Sequence, residues 1–68
     1  MGVIMVYVGL AGPKVFGVFE TIEMAAAKVA QIAEVSYANV KVSAAYNGDL
    51  LCHVNGGLEA RLVKTIFY

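Results

Sequence analysis

The hydrophobic residues of this chain sustain helical spacing over several turns in one place only. Ile22, Ala25, Ala26, Val29, Ile32 and Ala33 form a single stripe, because side chains three and four apart share a helix face. Glu23, Ala27, Gln31 and Glu34 point away from it, with Met24, Lys28 and Val35 on the flanks. Thr21 is placed to cap the first turn through its side-chain oxygen. Glu23 sits where the helix dipole favours a carboxylate. Residues 36–39 end the helix. The other segments read at strand period, so one helix of about fourteen residues must serve the whole sheet. One helix covers one face, and the opposite face is left to water or to a partner.

The strands can be read in order. Residues 3–8, Val-Ile-Met-Val-Tyr-Val, are β-branched or aromatic and apolar on both sides. Residues 9–13 supply a turn, a loop of about five residues closing a first hairpin. Residues 15–19 return, with Phe16 and Val18 on one face and Val15 and Phe19 on the other. Residues 40–46 alternate cleanly: Val40, Val42, Ala44 and Tyr46 oppose Lys41, Ser43 and Ala45. Asn47-Gly48 is a strong hairpin signal, and residues 50–54 form the return strand. Two registers compete here. A two-residue loop pairs Val42 with His53 and Ala44 with Leu51. A three-residue loop, Asn47-Gly48-Asp49, pairs Tyr46 with Leu50, Ala44 with Cys52 and Val42 with Val54. A slip of one residue flips a whole face, so the three-residue loop is preferred, with Asp49 in the left-handed position. It also gathers Lys41, Ser43, His53 and Asn55 on the polar side. Asn55-Gly56-Gly57 is a second turn. Residues 58–64 read as a fifth strand or a short helix, and the preceding glycines favour the strand. Residues 65–68 are either tucked into the sheet or a docking tail. The chain is therefore read as one α+β domain over residues 1–68. Its antiparallel sheet has four or five strands in the order β-β-α-β-β, and one helix packs on one face.

Composition says what the uncovered face must look like. The chain has 68 residues and is 60% hydrophobic and 15% charged, where average domains run at about 45–50% and about 25%. A small domain has more surface per unit volume and should be the more polar. Cys52 is the lone cysteine and His53 the lone histidine, which excludes an internal disulfide and a four-ligand zinc site. Self-association or a protein partner is the compensation left. The expected interface is Ile4, Val6, Val8, Phe16 and Val18 on the uncovered face, with Ile66, Phe67 and Tyr68 in the tail. A homo-oligomer is expected, and no cofactor.

Several classes are disfavoured. Net charge is zero, and Lys14, Lys28, Lys41, Arg61 and Lys64 are scattered, so a nucleic-acid partner is not expected. Residues 1–13 carry no charge, yet they are too short to span a membrane and lack a basic leader. A cytoplasmic protein is expected. Gly9-Leu10-Ala11-Gly12-Pro13-Lys14 superficially resembles a phosphate loop, but the glycine spacing is short and a strand follows. Cys52 and His53 are neighbours on a strand, so their side chains diverge and no nucleophile–base pair forms. A non-enzymatic interaction module is the expected function. One alternative is a small-molecule or nucleotide binder, with a site between subunits built from Gly9, Gly12, Lys14, Ser43 and His53. Another is a structural subunit of a larger assembly.

Some of these residues carry a likeness in layout. Gly17-Val18-Phe19-Glu20-Thr21 runs into an alanine-rich helix, followed by Val40-Lys41-Val42 and the hairpin at Asn47-Gly48. This order over residues 3–55 resembles small bacteriophage-encoded β-β-α-β-β proteins, among them anti-CRISPR proteins and phage antitoxins. The resemblance implies a non-enzymatic inhibitor that covers the surface of a host or defence protein. Many such proteins are strongly charged, whereas this chain is neutral, and no functional residue carries over.

Overall fold

Thr21 caps the helix as its position requires. Its hydroxyl oxygen accepts from the Met24 N–H at 3.1 Å, satisfying one of the free donors of the first turn. The structure, a computed structural model, describes residues 4–67, with side chains for residues 5–66. Helix α1 runs Ile22–Ala33. The strands are β1 Ile4–Ala11, β2 Lys14–Phe19, β3 Val40–Ala44, β4 Leu50–Val54 and β5 Gly57–Phe67. They form one antiparallel α+β sheet in the order β2-β1-β5-β4-β3. The last strand thus lies in the centre and joins two local hairpins.

Alanine sets the distance between helix and sheet. Ala25, Ala26, Val29 and Ala30 are the buried helix residues. Ala25 and Val29 meet Cys52, Val54, Ala60 and Leu62 in the core. The stripe is rotated from its expected centre: Ala30 is buried, while Ile32 lies at the edge, largely exposed. The helix ends with its stripe at Ala33, before the expected break at residues 36–39. Glu34 takes a left-handed conformation (φ 58°, ψ 44°), and Val35 N–H turns back to the Ala30 carbonyl at 3.0 Å. This is the usual way a helix satisfies its last carbonyls.

The first hairpin differs from its expected form. Ala11 pairs with Lys14, so the turn is two residues, Gly12-Pro13. Gly12 has φ +62°, and proline cannot follow it into positive φ. The dipeptide therefore suits a turn with glycine first, which matches strand twist. Gly9 is a strand residue, not a turn residue. It is opposite Gly17, and then the ladder slips, with Leu10 opposite Val15. Phe16 is the extra residue of a β-bulge. This overturns its expected place beside Val18 on the uncovered face. Phe16 packs on the helix side with Phe19, the rings 5.8 Å apart. Gly9 makes room for it.

The second hairpin keeps its faces and changes its pairs. Val40, Val42 and Ala44 oppose Val54, Cys52 and Leu50, so Tyr46 does not pair with Leu50. The loop has three residues, but they are Tyr46, Asn47 and Gly48. Ala45 N–H reaches the Asp49 carbonyl at 2.8 Å, and Gly48 N–H reaches the Ala45 carbonyl at 3.0 Å. Gly48, at φ +95°, takes the left-handed position that the expected loop had given to Asp49. Moving the loop by one residue shifts each pair by two, which preserves parity and therefore the apolar face. Residues 58–64 are strand, and residues 65–67 continue it. Val3 and Tyr68 lie outside the described residues.

A Cβ built on Gly9 would stand 2.5 Å from the Phe16 ring. Gly9→Ala is therefore expected to displace that ring and to cost about 1–3 kcal/mol. Urea unfolding would show this as a lower midpoint at unchanged slope.

Candidate functional site

The register places a defined set of side chains on the face away from the helix. Val18, Val8 and Val63 stand opposite one another across β2, β1 and β5. The next row runs Val15, Leu10, Arg61, Leu51 and Ser43 across all five strands. Beyond it come Leu58, His53 and Lys41. On the other side Val6 is opposite Thr65. The face is thus apolar over β2 and β1 and polar over β4 and β3. Val15 and Val18 remain 60% and 59% exposed. Solvated sheet faces normally alternate to polar residues at such positions.

The expected interface residues separate into groups. Val8 and Val18 belong to the uncovered face. Val6 shares that face by register but is buried, at 6% exposure, so it is not an open contact residue. Phe16 is not on this face. Ile66 falls on the helix side by register, opposite Met5. Ile4 and Phe67 are paired strand residues whose side chains lie outside the described set, as does all of Tyr68. Val15, Leu10 and Leu51 were missed by sequence reasoning. The bulge at Phe16 puts Val15 on this face, and only the facing glycines Gly9 and Gly17 hinted at it.

The expected ligand residues are not brought together as a group. Gly9 lies beneath Phe16. Gly12 and Lys14 flank the β1–β2 turn. Ser43 and His53 share the polar end of the uncovered face, where His53 opposes Lys41 and Ser43 opposes Leu51. β2 and β3 are the two edges of the sheet, four strand spacings or about 19 Å apart. Lys14 therefore stands across the sheet from Ser43.

A cleft does form, and of the expected ligand residues it is lined by Gly12 alone. The β1–β5 ladder stops at Leu10 and Arg61. Past it Ala11 stays with β2 and Ala60 with β4, so the sheet splits. Glu59 is the extra residue of a second bulge, between Leu58 and Ala60. The gap holds about 400 Å³ and is lined by Leu10, Gly12, Leu58, Glu59, Ala60 and Arg61. Arg61 Nε lies 3.8 Å from Asp49 Oδ2, so the one cation of the cleft already has a carboxylate neighbour.

Cys52 and His53 diverge, as neighbours on a strand must. Cys52 is buried in the core, and burial pushes its thiol up, since the thiolate would lose its hydration. A raised, enclosed thiol is a poor nucleophile. No helix among the described residues is long and apolar enough to cross a membrane. Comparison of the chain with family models, curated proteins and solved structures finds no match.

Alkylation of Cys52 by iodoacetamide at pH 8 is expected to follow global unfolding. Its rate should rise with urea in step with circular dichroism. Fast labelling of the native protein would contradict the packing described.

Proposed function

We propose that this protein is a non-enzymatic interaction module that buries the uncovered face of its sheet against another protein. The observation that carries this reading is the unbroken row Val18, Val8 and Val63, flanked by Val15, Leu10 and Leu51. Six aliphatic side chains on one side of a small sheet form a contact surface with no covering layer of its own. Lys41, Arg61 and His53 border them and would set orientation rather than strength.

An inhibitor that covers a host or defence protein, as the resemblance to small phage-encoded proteins implies, would use this face. Catalysis has no support from the side chains: the buried thiol and the strand histidine point apart, and Glu59 and Asp49 both sit near one arginine.

Val18→Lys adds a charge at an exposed position and is expected to leave the thermal midpoint nearly unchanged, since exposed substitutions shift stability by about 0.5 kcal/mol or less. Proteins captured by the tagged wild type should be lost by this variant. An identical set captured by both folded proteins would reject the face as the contact.

A further inference from the structure

The sheet is stepped at one end. β2 stops pairing with β1 at Tyr7 and Phe19, and β4 stops pairing with β5 at Leu50 and Leu62. β1 and β5 continue together to Ile4 and Phe67. Residues 4–6 and 64–67 therefore form a ribbon of two strands with no further strand paired to it among the described residues, although Val6 within it is buried. Two strands alone are marginal in water, and a third strand or a covering layer is normally required. This ribbon has apolar surface to cover. Met5 and Ile66 stand opposite each other on the helix side and remain 45% and 48% exposed.

The outer side of β5 over residues 63–67 offers a row of backbone donors and acceptors without a strand partner among the described residues. Only another strand satisfies such a row fully. We propose that it pairs antiparallel with the same segment of a second copy, about a twofold axis at Thr65. The ribbon then becomes four strands in the order β1-β5-β5-β1.

The segment Val63-Lys64-Thr65-Ile66-Phe67 is self-complementary in that register. Thr65 faces Thr65 of the second copy, a favourable cross-strand pair. Lys64 faces Ile66, and Val63 faces Phe67. An axis at Lys64 would instead set two ammonium groups directly opposite, which is destabilising. A contact between identical patches also closes on itself and cannot propagate into a fibre. The other free edges are less suited. The ladder of β2 is broken by its bulge at Phe16, and β3 is a short strand bearing Lys41. Net charge is zero, so two copies approach without long-range repulsion.

This pairing rests on the interaction reading only in expecting an assembly, since the valine face stays free for another protein. Light scattering of the full chain should give twice its 7.2 kDa mass. Thr65→Glu and Thr65→Lys each place like charges at the axis and should weaken self-association on the order of tenfold or more. An equimolar mixture of the two should restore the dimer, now by attraction. Thr65→Cys should cross-link two copies under mild oxidation, while Cys52 stays enclosed; this variant serves if a charge at position 65 unfolds the chain. Val18→Lys should remain dimeric even when it loses its captured partner, which separates failure of this pairing from failure of the face. A monomeric wild type at every concentration, or a dimer indifferent to both charges at position 65, would overturn the proposal.

Discussion

The helix meets the sheet through alanine, and much else follows from that contact. Ala25 lets the backbone of α1 come close to β4 and β5, so Cys52, Ala60 and Leu62 are sealed by Ala25 together with Val29. Twelve residues of helix span about 18 Å, with a body about 10 Å wide. Five strands are about 19 Å across. Laid across the sheet, the helix comes close to both edge strands, β2 and β3, but it covers one face only. Phe16 and Phe19 fill the flank over β1 and β2 from the sheet itself. Nothing of the kind is available on the opposite face, where the valines stand.

The legible parts were those governed by a period or a cap. The helix, its threonine cap and its alanine stripe could be read because each depends on spacing within one segment. The faces of β3 and β4 were legible for a related reason: parity survives a shift of two residues, even though the pairs themselves change. The loop lies one residue earlier than expected because Gly48, and not Asp49, takes the left-handed position. Glycine adopts that conformation without the side-chain penalty, and the structure follows the cheaper geometry.

The bulges were not legible, and the one in β2 accounts for the misplaced Phe16 and the unexpected Val15. A bulge inserts one residue and reverses the alternation beyond it. At Phe16 this moves an aromatic into the core and brings Val15 onto the uncovered face. At Glu59 it helps open the cleft beside Arg61. Neither depends on a local period. Each answers a partner strand whose position is set by the whole sheet. The split beyond Leu10 and Arg61 is equally non-local, since it needs β1 and β5 to follow different neighbours.

The central place of β5 has a consequence for how the chain is made. Each hairpin closes over short sequence distances, but the β1–β5 ladder joins opposite ends of the described chain. Contacts of that range slow folding. During synthesis both hairpins can emerge while the strand between them is still within the ribosome. The inner edges of β1 and β4 then wait unpaired, with Val6, Val8 and Cys52 exposed. The nascent chain is most vulnerable to wrong pairing in that interval, so the order of synthesis, more than final stability, sets the hazard this fold must survive.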